Sequence, residues 1–200
     1  MVTYKNKVNF VNTLRDKNIG LFTPNDLKKL FAINSDNTVR HLLMRLTQDN
    51  VVERLIRGKY IFLHSNREIS DFEIANFLHI PSYVSLESAL SMYGVIEQVP
   101  YKVTSMVLGR GREYRARGKM FAYSKIRKAD FRDFVRKDDF LIATEEKALY
   151  DYLYFVYKGL RPAEKIYDLI QYLRNREVSV YLRASMDRGL SKFIRRYVKL

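Results

Sequence analysis

Two hundred residues, 47% hydrophobic and 14% aromatic, suffice for one compact domain or two small ones and exclude a disordered chain. With no cysteine, and only His41, His64 and His79 as histidines, the sequence excludes disulfide frameworks, iron-sulfur clusters, zinc fingers and thiol nucleophiles. The 36 Lys plus Arg against 22 Asp plus Glu give a formal charge of +14, which points to a polyanionic partner, either nucleic acid or an anionic membrane surface. No apolar run reaches the ~20 residues of a membrane span and no signal peptide opens the chain, so a cytoplasmic location without membrane attachment is expected.

The basic excess is uneven. Residues 1–70 hold twelve basic and six acidic side chains, 71–160 fourteen and twelve, and 161–200 ten and four. Within the nearly balanced middle, residues 109–128 alone carry eight basic residues against Glu113.

In chain order, Tyr4, Val8, Val11 and Leu14 predict a first helix over 4–16, ended by Asn18 to Gly20. Thr23 before Pro24 and Asp26 reads as a cap, a proline at the first helical position and an acid at the positive end of the helix dipole, predicting a helix over 24–31. Its buried face is Leu27, Leu30 and Phe31. After the turn Ala32 to Asn34, Ser35 caps a helix reaching about Asp49, with Val39, Leu42, Leu43 and Leu46 on the inner stripe. That leaves Asn37, Thr38, Arg40, His41, Arg45 and Gln48 pointing outward. Val51 to Ile56, Arg57-Gly58-Lys59 and Tyr60 to Leu63 then read as a β-hairpin. Helix, turn, helix and hairpin in this order predict a winged helix-turn-helix. Asn37, Thr38, Arg40, His41 and Arg45 are the candidate base-reading residues, and Arg57 and Lys59 the candidate phosphate contacts of the wing. A winged helix used only for protein contacts is the competing reading, and the local charge favours DNA.

The polar stretch His64 to Asp71 reads as a linker, dividing the chain into residues 1–66 and 72–200. Beyond it, Ser85 is expected to cap a short helix with Leu86, Ala89, Leu90 and Tyr93 on its apolar face, ended by Gly94. From Tyr101 to Phe140, alternation broken by glycines at 109, 111 and 118 predicts a small antiparallel sheet. Its turns carry Arg110, Arg112, Arg115, Arg117 and Lys119, a candidate second DNA-contacting patch. A helix from Thr144 to about Tyr157 is apolar nearly all round and is expected at the centre of the second core. Pro162 begins another helix with Ile166, Leu169, Ile170 and Leu173. A terminal amphipathic helix sets Leu190, Phe193, Ile194, Tyr197 and Val198 against Arg188, Lys192, Arg195, Arg196 and Lys199; it is read as docked on the globule rather than on a membrane. The fold class is α+β.

Two stretches some fifty residues apart, Ile80-Pro-Ser-Tyr-Val-Ser-Leu-Glu-Ser-Ala-Leu-Ser-Met-Tyr-Gly94 and Ile142-Ala-Thr-Glu-Glu-Lys-Ala-Leu-Tyr-Asp151, resemble the AbiEi-family antitoxins of type IV toxin-antitoxin systems. The family often has His where Tyr93 stands and Pro where Glu145 stands. The resemblance implies an N-terminal winged helix and a C-terminal antitoxin domain in a bacterial phage-defence repressor. Such a protein binds double-stranded DNA at inverted repeats in its own promoter and counters a nucleotidyltransferase-like toxin without a stable complex. It implies no enzyme activity, cofactor or metal.

Competing chemistries are weaker. Thr144 and Lys147 have the offset of a Ser-x-x-Lys enzyme, but its companion elements are missing and a helix cap explains Thr144. Gly109, Gly111 and Gly118-Lys119 lack the spacing and hydroxyl of a phosphate loop. Asp138, Asp139, Glu145 and Glu146 read as solvated residues and helix-dipole partners rather than metal ligands, and Ser82, Ser85 and Ser88 as caps or turn residues. A winged-helix regulator with a ligand-sensing second domain, and then a nucleic-acid-processing enzyme, are the alternatives.

Overall fold

The computed structural model describes residues 7–162, 169 and 188–197. In the N-terminal unit, α1 (Lys7–Asp16) buries Phe10 and Leu14; Tyr4, where the sequence starts this helix, lies outside the described residues. The next helix, α2 (Pro24–Phe31), starts where expected: the Thr23 hydroxyl accepts from the Asp26 N–H, and the Asp26 carboxylate accepts from the Thr23 N–H at 2.7 Å. Ala32, at φ 51°, ends it. The Ser35 side chain then accepts from the Thr38 N–H and starts α3 (Asp36–Gln48), whose buried residues are Val39, Leu42, Leu43 and Leu46.

Strands β2 (Val52–Ile56) and β3 (Lys59–Phe62) form the hairpin, and β1 (Leu21–Phe22) pairs antiparallel with the other edge of β3. The sequence reading contained no β1, because two residues carry no alternation to detect. The core of this unit joins α1, α2 and α3 to Val51, Val52 and Phe62, with Phe10 stacked on Phe31 at 5.2 Å between ring centroids.

Residues 63–70 contain neither helix nor strand. The chain then enters a helix unread in the sequence, α4 (Asp71–Leu78), started by a reciprocal capping box between Ser70 and Glu73. Strand β4 (Ser82–Val84) follows. Ser85 is not a cap, contrary to expectation: Leu86, at φ 57°, precedes α5 (Glu87–Met92) without any side-chain capping bond.

Strands β5 (Lys102–Val107), β6 (Arg112–Ala116), β7 (Lys119–Lys125), β8 (Phe134–Lys137) and β9 (Phe140–Ala143) join β4 in one sheet of order β6-β7-β5-β4-β9-β8. The expected small antiparallel sheet is therefore a larger mixed one, since β5 with β7 and β4 with β9 run parallel. Alternation reports which face a side chain takes and carries no information on strand direction.

Thr144 caps α6 (Glu145–Tyr157), accepting from the Lys147 N–H at 3.3 Å, and Lys147 through Val156 are all buried. The terminal helix, α7 (Arg188–Tyr197), packs on α6, with Leu190 buried and the Phe193 ring 5.6 Å from that of Tyr157. The predicted helix after Pro162 falls outside the described residues except for Leu169, which is buried. Among the described residues no helix is long and apolar enough to cross a membrane.

The two sequence motifs meet in the core. Lys147 forms a fully buried ion pair with Asp151 one turn along α6, and Asp151 also accepts from the Tyr83 hydroxyl at 3.0 Å and the Ser85 hydroxyl at 2.8 Å. The Tyr93 hydroxyl donates to the Ala143 carbonyl at 2.9 Å, tying the end of the first motif to the second. Burial pushes the Asp151 carboxyl up, opposed by the Lys147 charge and the three hydrogen bonds. Lys147 thus serves Asp151, not Thr144, and its ammonium lies 5.0 Å from the Tyr150 ring centroid.

Candidate nucleic-acid interface

Helix α3 has the layout expected from its sequence. With the apolar stripe of α3 packed inward, Asn37, Arg40, His41, Arg45 and Gln48 are exposed and Thr38 is half-buried. Among the described residues no carboxylate pairs with Arg40, Arg45 or Arg57, so these guanidinium groups have free donors. Met44, overlooked in the sequence because methionine usually joins the core, is 54% exposed. One helical turn from both Arg40 and Gln48, it adds an apolar contact to the same polar face.

At the hairpin tip, Gly58 holds φ 77° and Arg57 is exposed. Lys59 behaves differently. Its ammonium turns back onto the second unit, donating to the Phe77 carbonyl near the end of α4 and lying 5.2 Å from the Phe77 ring centroid. Burial holds this ammonium below the ordinary lysine value.

The arginines of the second patch are not on one surface. In the β6–β7 pair Arg112 lies opposite Tyr123 and Arg115 opposite Met120. Successive residues of a strand alternate faces, so Arg112 and Arg115 point opposite ways. Tyr123 donates to the Ala75 carbonyl at 2.6 Å, which identifies Arg112's side as the one covered by α4. Arg117, at the turn, reaches Glu53 of β2 at 3.5 Å, and Lys119 pairs with Asp71. Both are engaged in holding elements together. Arg110, Arg112 and Arg115 are exposed and have no ion-pair partner among the described residues.

The hairpin and the second unit share a core. Leu55 and Ile61 pack into the larger hydrophobic cluster rather than the N-terminal one, with Leu21 and Ile56 against it. The stretch 64–71, expected as a linker, is itself in contact with the second unit: Arg67 within it pairs with Glu73 at 2.8 Å and with Asp139 at 3.4 Å. Beside it runs a cleft of about 540 Å³ bounded by Asn18 to Leu21 on one side and Phe77, Ile80, Arg136 and Leu141 on the other. Asp139, one of the acids weighed as metal ligands, faces Arg67 and Arg136. No protein-family model matches the chain, and no curated protein matches it either.

Proposed function

We propose that the protein is a sequence-specific DNA-binding repressor whose N-terminal unit is a winged helix-turn-helix, with α3 as the helix that enters the major groove. The observation that carries this is the outer face of α3, a row of unpaired donors anchored from behind by four buried aliphatic residues. Arg40 and Asn37 have the donor geometry for guanine and adenine edges, His41 and Arg45 extend the row, and Arg57 supplies a phosphate contact from the wing. The antitoxin role, binding inverted repeats in its own promoter and countering a nucleotidyltransferase-like toxin, rests on the two AbiEi-like motifs and is supported by the hydrogen bonds that join them.

The test is binding to the chain's own promoter fragment against a scrambled duplex. Arg40→Ala should weaken promoter binding by about 1–3 kcal/mol while sparing the scrambled duplex. Equal loss on both removes base reading from α3. For the antitoxin role, the full chain should rescue cells from a nucleotidyltransferase-like toxin encoded beside it, and Arg40→Ala should rescue equally well.

A second reading, a regulator that senses a small ligand, is favoured by the cleft between the two units, whose volume lies within the range of ligand pockets. Release of the promoter by a metabolite, lost on filling the cleft with Leu141→Trp, would select it.

A further inference from the structure

Three basic side chains from three different elements converge where the hairpin meets the second unit. Lys59, from β3, reaches the Phe77 carbonyl two residues before His79. His79, which ends α4, lays its ring 5.2 Å from that of Tyr123. Arg112 stands opposite Tyr123 in the edge strand, on the same face of the sheet. The charges of Lys59 and Arg112 both bear on His79 and, after burial, hold its imidazole below the usual histidine value.

The nearby acids are used elsewhere. Glu113 alternates to the other face and pairs with Lys102 at 2.6 Å, Glu53 pairs with Arg117, and Asp71 with Lys119. No carboxylate among the described residues pairs with any of the three. Unsatisfied capacity remains at each: His79 Nδ1 is buried without a hydrogen-bond partner, the Lys59 ammonium has two donors beyond the one given to Phe77, and the Arg112 guanidinium is exposed. A half-buried lysine beside an arginine and a histidine, with no counter-charge, is an unfavourable arrangement that an anion relieves.

We propose that Lys59, His79 and Arg112 form a binding site for one phosphate group at the junction of the wing and the second unit. Arg112 supplies a planar two-pronged donor, Lys59 a point charge and His79 a neutral N–H, a set that matches a tetrahedral oxyanion. For its occupant, though not for its chemistry, the inference rests on the DNA-binding reading, under which the group is a backbone phosphate of the bound duplex. The bound phosphate then adds a bridge between the hairpin and the second unit, which already share a core. A free nucleotide offers the same chemistry and is separated by the experiment.

The full-length protein is melted in inorganic phosphate and in chloride at equal ionic strength. Phosphate should raise Tm by a few degrees over chloride, and both Arg112→Gln and Lys59→Gln should lose that rise. Absence of a rise in the wild type, or a rise kept by both variants, overturns the site. The slope of log affinity against log salt, measured by anisotropy on a labelled duplex, identifies the source. A loss of about 0.9 in slope for Arg112→Gln assigns the phosphate to the duplex. An unchanged slope, with ADP raising Tm as inorganic phosphate does, assigns it to a free nucleotide. If Arg40→Ala leaves duplex binding unchanged while the phosphate-dependent rise persists, the repressor reading fails and the site stands.

Discussion

Lys147→Met removes the ammonium from a pair that has no access to solvent and leaves Asp151 with only the Tyr83 and Ser85 hydroxyls. Breaking a buried pair from one side costs about 3–5 kcal/mol, a large part of the ~5–15 kcal/mol that holds a domain together. Asp151→Leu is expected to cost a similar amount by stranding the ammonium. The double variant leaves no charge at these two positions and removes the Asp151 acceptor from the Tyr83 and Ser85 hydroxyls, at about 1–3 kcal/mol each, so its cost falls below the sum of the singles. A carboxyl whose folded-state pKa lies above its unfolded value takes up a proton on folding, so stability is fullest on the acid side of the window between the two and declines as pH rises through it. Burial raises Asp151 and Lys147 opposes the rise. Without the ammonium the window extends toward neutral pH, and Lys147→Met should be less costly at about pH 5 than at about pH 8. Urea unfolding of the four proteins of the cycle at both pH values reads all of this. Additive single costs together with a pH-independent penalty would refute the account of a charge-compensated core.

Other perturbations test the packing. Ile61→Ala, at the place where the hairpin enters the larger core, should cost about 2–5 kcal/mol in urea and should destabilise both units in one transition, read by probes placed in each. Tyr123→Phe leaves the Ala75 carbonyl without its donor and should lower stability by about 1–3 kcal/mol by chemical denaturation. At Gly111 a Cβ would sit 2.7 Å from the Tyr123 carbonyl oxygen, backbone that cannot yield cheaply, so Gly111→Ala should speed amide exchange in β6. Met44→Ala should weaken promoter binding without changing the unfolding midpoint, since the side chain projects outward from α3.

The N-terminal unit was legible because its signals are local. Thr23-Pro24 and Ser35 mark helix starts within three residues, and Val39, Leu42, Leu43 and Leu46 repeat at helical spacing; the structure places all of them accordingly. Where the sequence reading missed, the deciding contact lay far along the chain. Ser85 has the look of a cap, yet its hydroxyl serves a carboxylate 66 residues away. In an otherwise apolar helix, the Lys147 and Asp151 spacing was a readable sign of a buried pair, because two opposite charges one turn apart can neutralise each other. The Ser70 to Glu73 box was equally readable and was hidden only by the polar composition around it. For the candidate interface, α3 could be read from periodicity. The arginines of 110–117 could not, since charge counted along a strand ignores that neighbours face opposite sides.

The shared core changes how the two proposed roles relate. If the hairpin were attached only through residues 63–70, its orientation would be independent of the second unit. Instead Leu55 and Ile61 bury themselves in the second core, Lys59 bonds the end of α4, and Arg117 holds Glu53. The chain of contacts continues: Tyr123 fastens α4 to the sheet, and Tyr83 and Ser85 fasten the sheet to α6 through Asp151. A hairpin held this way presents Arg57 at a fixed angle to α3, so under the proposed DNA-binding reading less ordering remains to be done on binding. The same contacts give any ligand that shifts the second unit a physical route to the exposed face of α3 proposed to read DNA, provided the packing has a second arrangement for that ligand to select. Under the proposed reading, repression and neutralisation should separate on changing side chains of the α3 face, where Arg40 and His41 are exposed, and not on cutting the chain within residues 63–70. A cut there strips the hairpin of the apolar cover over Leu55 and Ile61, and the exposed pair leaves the N-terminal fragment prone to association.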